Sequence, residues 1–298
     1  APNAKLTVNN RSGDVVETSA SIGADAQIGQ GSGTVGSVNV NASSTIATDV
    51  KAFGLSVGAV AGSLNFAFVD VTPAVKATVG AGADIKTTGE ILVEADTAMT
   101  ANATTEGYSG GGGSLAGSFA FATLAPTVAT ALGSGARANS TNGQVRLRAR
   151  HNAVSGNGAV ATAIAGSGGT LIGASGAVAV SDATATVTTT VDGDITAASA
   201  NGTITLESRS VDRSRALAAG VGLGTVGVGL AVTDAHAGGT VSVAGNGKVV
   251  GKSLILTADG RNVADAETYA YAVVPALARS RMNSMKVRVA RVCCRFGM

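Results

Sequence analysis

The chain has 298 residues, of which 45% are apolar, 13% are charged and 3% are aromatic; it has 42 glycines and no tryptophan. A compact enzyme of this length normally carries more charged and aromatic side chains, so the composition favours an extended repeat architecture. Abundant glycine can also indicate disorder, but the apolar content and its regular alternation argue against it.

The formal net charge of +2 is unevenly distributed along the chain. Six of the 21 basic residues and none of the 19 acidic ones lie in residues 279–298, which leaves 15 basic against 19 acidic residues in 1–278. A mildly acidic body without a basic face predicts no binding to nucleic acid. The only cysteines, Cys293 and Cys294, lie in the same last segment, and a body without cysteine suits a secreted bacterial protein. No run of 18 apolar residues occurs, so no membrane span is predicted.

A short strand pattern recurs five times along the chain, at residues 36–42, 89–95, 143–149, 202–208 and 252–258. Its central apolar residues are separated by 53, 54, 59 and 50 residues; they are Val40, Val93, Leu147, Leu206 and Leu256. Near-constant spacing indicates a repeat protein with units beginning near 37, 90, 144, 203 and 253. Residues 1–36 are expected to hold an incomplete unit in which residues 5–10 match the recurring strand. A pattern that begins in mid-unit leads us to expect a fragment of a longer protein.

Each unit continues through a stretch of small residues, a glycine-rich turn, an alternating run and a second short strand. The alternating runs align Phe66 and Phe68 with Phe119 and Phe121, then with Val178 and Val180, and then with Leu230 and Val232. The second strands align Val75, Val128, Val187 and Val241. Alternation of period two without helix-period segments predicts an all-β protein. We therefore predict a parallel β-solenoid of about five repeats of roughly 54 residues over residues 1–278.

One detail of this predicted solenoid stays open. A unit of this length could supply two turns of the coil, or one large turn with a protruding hairpin. In either arrangement, stacking in register would bury Val93, Leu147 and Leu206. It would also align Glu94, Arg148 and Glu207 on one outer face.

Several short motifs resemble functional sites but favour a structural interpretation. Gly222, Gly224 and Gly227 fit a dinucleotide-binding fingerprint, yet they lie at the glycine-rich turn and an alternating strand follows them. His151 and His236 occupy non-equivalent parts of their units, and neither has a cysteine or another histidine near it in sequence. The pair Asp192 and Asp194 lacks the calcium-binding patterns and is interpreted as a turn.

The densest charge cluster of residues 1–278 contains Asp212, Arg213 and Arg215, with Glu207 and Arg209 close by. Carbohydrate-degrading β-helix enzymes use clusters of this composition, so this is the one candidate catalytic region. A solvated loop is the simpler interpretation. We predict no catalytic, cofactor-binding or metal-binding residues, and the protein is expected not to be an enzyme.

Residues 52–95 combine an alanine-rich run, a glycine-rich turn, an alternating strand, a V-x-A-x-V segment and a G-x-I-x-V-x-A strand. This combination resembles the repeats of filamentous-haemagglutinin-like and leukotoxin-like bacterial adhesins and of related autotransporter passengers. The resemblance covers residues 37 to about 275. It implies export to the bacterial cell surface and adhesion to host cells, matrix or glycans, and it brings across no catalytic residues. The function predicted from it is a structural stalk in a surface adhesin. The alternatives are a carbohydrate-active β-helix enzyme and a fragment of a secreted toxin or haemolysin.

Residues 279–298 depart from the repeat pattern, because they break the alternation and concentrate the basic residues. Two interpretations remain open for this tail. It is either the product of a shifted reading frame or mis-called gene end, or a real basic tail.

Overall fold

The computed structural model describes residues 3–8, 16–31, 35–153, 158–200, 202–273 and 285–289. Within these ranges every regular element is a β-strand, which confirms the all-β prediction. Most of the 279–298 tail lies outside the described residues. Its described part is β19 (Met285–Val289), which pairs antiparallel with β18 (Ser253–Val273), whereas the other described strand pairs are parallel.

The strands form three sheets. The long-strand sheet contains β1 (Asn3–Val8), β4 (Val38–Val71), β7 (Ile91–Leu124), β10 (Val145–His151), β11 (Ala159–Ala183), β14 (Thr203–Leu223), β15 (Val226–Ala237), β18 and β19. The second sheet contains β2 (Glu17–Ile22), β5 (Ala74–Val79), β8 (Thr127–Leu132), β12 (Thr186–Val191) and β16 (Thr240–Ala244). The third sheet contains β3 (Gln27–Ile28), β6 (Asp84–Thr87), β9 (Arg137–Ser140), β13 (Asp194–Ala197) and β17 (Val249–Val250).

Equivalent positions of successive units pair in register in the long-strand sheet. Val93 pairs with Val40 and with Leu147, and Leu206 then pairs with Leu147 and Leu256. Val93, Leu147 and Leu206 are all buried, as predicted. The second sheet behaves in the same way, with Val75, Val128, Val187 and Val241 in one row.

Two predicted alignments are wrong. Val178 and Val180 pair with Val232 and Asp234, two residues beyond the predicted partners Leu230 and Val232. A slip of two residues keeps every side chain on its face, so alternation alone does not reveal it. Residues 5–8 were expected to match the start of a unit, but β1 pairs with residues 66–71 at the end of β4. Alternation again does not separate the two alignments, because the start and the end of a long strand both alternate with period two.

The corners between the second and third sheets use left-handed backbone. Asp25, Gly82 and Gly135 have φ values of 56°, 68° and 70° and occupy the same corner of successive units. Glycine adopts this conformation without strain and aspartate tolerates it, so these three units share one corner, whereas the corner between β12 and β13 is two residues shorter and has no residue with positive φ. The recurring corner leads the chain from the second sheet into the third sheet, and the next long strand begins after the third-sheet strand.

β4, β7 and β11 each fold back at a glycine-rich segment, and β14 and β15 supply the two facing arms of the fourth unit. The Ser181 hydroxyl donates to the carbonyl oxygen of Ala159 at 2.9 Å, although both residues belong to β11. In β4, Gly54 faces the side chain of Asn65, and residues 58 and 60 flank an unpaired residue where the strand turns. The two arms of each long strand therefore face each other, and together they form a protruding two-layered fin. We define the fin as residues 48–71, 101–124, 159–183 and 214–237, with the single arm 264–273 alongside.

The long strand of the third unit is interrupted at the described residues 152, 153 and 158, since β10 ends at His151 and β11 begins at Ala159. His151 pairs with Thr97 and Ala159 pairs with Ala101, so this unit has four more residues between the paired positions than its neighbour. β10 pairs with the first parts of β7 and β14, and β11 pairs with later parts of the same two strands. The four strands therefore form a closed ring of strand pairings. Nothing in the repeat pattern predicts this closure.

Candidate functional site

A buried polar cluster fills the interruption between β10 and β11. Asn152, at φ 49°, accepts a hydrogen bond from the Met99 amide at its Oδ1 (2.7 Å) and donates from its Nδ2 to the Met99 carbonyl (3.1 Å). The side chain thus replaces the backbone bonds that the interrupted strand does not make. Asn152 was missed by sequence reasoning, although the spacing of 59 residues between Leu147 and Leu206 marks the unit that carries the interruption.

His151 is fully buried in this cluster, and its partners fix its tautomer. Asn152 Nδ2 donates to His151 Nε2 at 3.1 Å, so the imidazole proton is on Nδ1, which lies 2.8 Å from Thr97 Oγ1. The Thr97 hydroxyl in turn donates to the carbonyl of Arg150. These bonds satisfy a neutral ring, and burial lowers the pKa of His151 to about 4.

Asp212 lies on the other side of the cluster and is also buried. Its Oδ1 is 3.8 Å from His151 Nε2, and its carboxyl group accepts from the Ser210 hydroxyl and the Ala185 amide. Burial raises the pKa of Asp212 to about 7, although these two hydrogen bonds act in the opposite direction. The cluster therefore holds a neutral histidine and a carboxyl group that titrates near neutral pH, and both are closed off from solvent.

The candidate catalytic cluster of Asp212, Arg213 and Arg215 is not assembled. Asp212 points into the interior, whereas Arg213 and Arg215 are exposed on the opposite face of β14. Alternation in a strand sends neighbouring side chains to opposite faces, so these residues do not converge on one substrate. The solvated-loop interpretation is also wrong, because all three residues lie within β14.

Glu207 belongs to a different feature, a row of charged residues on the outer face of the long-strand sheet. Glu94, Arg148 and Glu207 pair in register, which confirms that they share a face. Glu207 is 5% exposed and accepts two hydrogen bonds from Arg150, at 3.2 Å each. Its carboxylate also lies 2.9 Å from Arg209 Nε and 3.6 Å from Arg148 Nε. Partial burial, followed by the charges of Arg150 and Arg146, lowers the pKa of Arg148.

The remaining candidate motifs occupy structural positions. Gly222, Gly224 and Gly227 lie where the fin folds back, and a strand rather than a helix follows them. Asp192 and Asp194 accept hydrogen bonds from the backbone amides of residues 246 and 248 in the next unit. In the described ranges no group of three or more metal-binding side chains occurs.

His236 is the second of the two candidate histidines, and it lies at the surface. Its Nδ1 is 3.0 Å from Asp182 Oδ1, and both side chains are exposed. Because residues 182 and 236 pair in register on adjacent strands, this contact is one more link between successive units.

Comparison with known proteins identifies no relatives: no family model, no curated protein and no solved structure matches the chain. Across the described segments, no helix has the length and apolar character needed to cross a bilayer.

Proposed function

We propose that this chain is a non-enzymatic stalk segment of an exported bacterial surface adhesin, built as a parallel β-solenoid. The observation that carries the proposal is the in-register pairing of equivalent residues in all three sheets. Each unit adds one short strand to the second sheet, one to the third, and one folded long strand to the first. A unit of this kind is one large turn of a coil with a protruding hairpin, which is one of the two arrangements left open by the sequence.

A stack of such units acts mechanically. Apolar columns such as Val40, Val93, Leu147 and Leu206 hold neighbouring turns together, and burial of these columns is the main driving force for stacking. Rows of charged residues on the outside favour the correct register. The expected result is a stiff rod on the bacterial surface, with host cells, matrix or glycans as partners of its exposed faces. The resemblance to bacterial adhesin repeats supports this location and role.

Extra units test the stacking directly. We would insert one to four additional copies of residues 91–144 after residue 144, in a variant with Cys293 and Cys294 replaced by serine, and measure by double electron–electron resonance the separation of spin labels at parent positions 41 and 257, which flank the insertion. Each copy should increase this separation by about 4.8 Å, the spacing of neighbouring strands, and should leave the far-UV circular dichroism per residue unchanged. A copy with the same residues in scrambled order is the matched control and should not fold. Growth in length that does not follow the number of intact copies would contradict the proposal.

A second measurement separates the stalk from the carbohydrate-active alternative. We would incubate the parent protein and an Arg213→Ala/Arg215→Ala variant with acidic and neutral polysaccharides and measure the release of reducing ends. The stalk proposal predicts no release by either protein. Release by the parent that is lost in the variant would establish catalysis at that face of β14.

A further inference from the structure

A groove crosses the outer face of the fin arm that precedes the fold-back, which we call the first-arm face. It has a volume of about 340 Å³ and lies between Tyr108 on β7 and Val221 and Leu223 on β14. The groove exists because the strand between them, β11, carries Gly166 and Gly168 on this face and therefore has no side chains there. Small-ligand sites have volumes of about 300–1,000 Å³, so the groove is large enough to hold a ligand. β4 and β18 flank the three strands, so the groove lies within the sheet and not at its edge.

The groove is lined by aliphatic and aromatic groups. Tyr108 leans over β11, because a methyl group on Gly166 would lie 3.0 Å from the Cδ1 atom of the ring. Ile164 closes the groove at the end nearer the base of the fin. Aliphatic walls favour contact with methyl groups, and the ring of a tyrosine attracts a cation that lies within about 6 Å of its centre.

A carboxylate lies beside the tyrosine ring. Glu106 precedes Tyr108 by two residues on the same face, in one row with Ile164. Burial, followed by the charge of Glu106 and a hydrogen bond to its carboxylate, raises the pKa of Tyr108. The tyrosine hydroxyl therefore stays protonated and donates to this carboxylate.

In the part of the sheet that the structure describes, no positive side chain balances this carboxylate within the groove. Along β7, β11 and β14, the three described rows from Glu106 to the fold-back contain no lysine or arginine. Arg215 lies two rows nearer the base, about 13 Å along the strand, and Lys51 on β4 contacts Asp49 at 3.0 Å. A negative charge beside apolar walls complements a ligand that is positively charged and has an apolar surface.

We propose that this groove binds a quaternary ammonium group, such as the trimethylammonium group of choline, with Tyr108 against its methyl groups and Glu106 as its counter-ion. An anion would be repelled by Glu106, and an uncharged apolar ligand would make no use of its charge. A primary ammonium ion is strongly hydrated, so apolar walls suit it less well than they suit a cation covered by methyl groups. This binding activity is separate from the role of a stalk and does not rest on it.

Tyrosine fluorescence reports on this groove, because the chain has no tryptophan and its three tyrosines all lie on the first-arm face. We would titrate the parent protein with choline and repeat the titration by isothermal titration calorimetry. Choline should bind saturably, whereas its uncharged isostere, in which carbon replaces the nitrogen, should bind at least about tenfold more weakly. Phosphocholine distinguishes two sources of the group. Binding as tight as that of choline indicates a phosphocholine-bearing surface as the natural ligand, and weaker binding indicates a free amine.

Filling the groove tests its location. A Cβ atom at Gly168 meets only the carbonyl oxygen of Ser109, at 4.0 Å, so Gly168→Leu should fold and place its side chain in the groove. Gly176→Leu is the matched control, because Gly176 lies on β11 beyond the fold-back and a Cβ atom there meets nothing within 4 Å. Gly168→Leu should abolish choline binding and Gly176→Leu should keep it, while Glu106→Gln should weaken it about fivefold. Circular dichroism and thermal melting establish that each variant is folded.

Three results would each overturn the proposal. The first is that neither method detects saturable binding of choline by the parent protein. The second is that the uncharged isostere binds as tightly as choline. The third is that Gly168→Leu binds choline as well as Gly176→Leu does.

Discussion

At the scale of single residues, His151 and Asp212 are neighbouring buried groups whose pKa values move in opposite directions. The pKa of Asp212 rises from 3.8 to about 7, so its contribution to stability is full below pH 3.8 and is lost as the pH rises through about 7. The pKa of His151 falls from 6.5 to about 4, so its contribution is full above pH 6.5 and is lost as the pH falls through about 4. Between pH 4 and 6.5 the two effects oppose each other.

Single substitutions should separate the pH-dependent contributions of Asp212 and His151 to stability. Relative to the parent, Asp212→Asn should become more stable as the pH rises from 4 to 6.5, because only the His151 effect remains. His151→Gln should become less stable as the pH rises from about 4 to 7, because only the Asp212 effect remains. Urea unfolding midpoints across this range measure both slopes. If both variants keep the parent's dependence of the unfolding midpoint on pH, the opposing contributions of His151 and Asp212 are refuted.

Asn152 is predicted to stabilise the interrupted strand through its two bonds to the Met99 backbone. Asn152→Ala leaves a buried amide and a buried carbonyl unpaired and should lower the free energy of unfolding by about 2–4 kcal/mol. Asn152→Gly removes the same bonds but suits the positive φ, so it should cost about 1 kcal/mol less than alanine. Chemical denaturation of both variants checks the prediction. Equal stability of Asn152→Ala and the parent would contradict it.

Glu207 is the centre of the charged row, since guanidinium nitrogens of three arginines lie within 3.6 Å of its carboxylate oxygens. Glu207→Gln would leave these positive charges facing one another and should cost about 2–4 kcal/mol, less than for a fully buried pair because the arginines remain partly exposed. Glu90→Gln is the control, since the Glu90–Arg146 pair is more exposed and should be worth less than about 1 kcal/mol. Thermal unfolding of both variants checks the prediction. A larger drop in melting temperature for Glu90→Gln than for Glu207→Gln would contradict it.

At the scale of elements, the fold-back of the fin depends on close approach of successive turns. A methyl group on Gly111 would collide with the carbonyl oxygen of Gly58 in the neighbouring turn, whereas one on Gly113 would meet nothing. Gly111→Ala should therefore cost a few kcal/mol, and Gly113→Ala should be neutral or slightly stabilising, by up to about 1 kcal/mol. Thermal melting of this matched pair would contradict the close approach if the two variants had the same midpoint.

The sequence predicts the strands well because period-two alternation identifies a strand and its buried face. The row of Glu94, Arg148 and Glu207 follows from that alternation. The two-residue slip between Val178 and Val232 does not, because a shift by two residues preserves both faces. The same alternation, applied to Asp212 and Arg213, would have placed these residues on opposite faces and excluded a joint site. The buried pair of His151 and Asp212 depends on two units meeting at an interruption, which no single unit encodes.

At the scale of the whole molecule, the stack joins two unlike parts. The base carries the apolar columns, the charged row and the buried polar cluster, and its polarity is that of a protein in water. The fin carries exposed apolar side chains near its fold-back, such as Val60 and Leu171. On this account the repeat sets the length of the rod.

The central claim is that equivalent residues of successive units stack one strand spacing apart. Asn41, Glu94, Arg148, Glu207 and Thr257 form one row. We would place spin labels at residues 41 and 257, replace Cys293 and Cys294 by serine, and measure the label separation by double electron–electron resonance. Four strand spacings predict a distribution centred near about 19 Å, broadened by the label arms, whereas one centred beyond about 30 Å would contradict the stack.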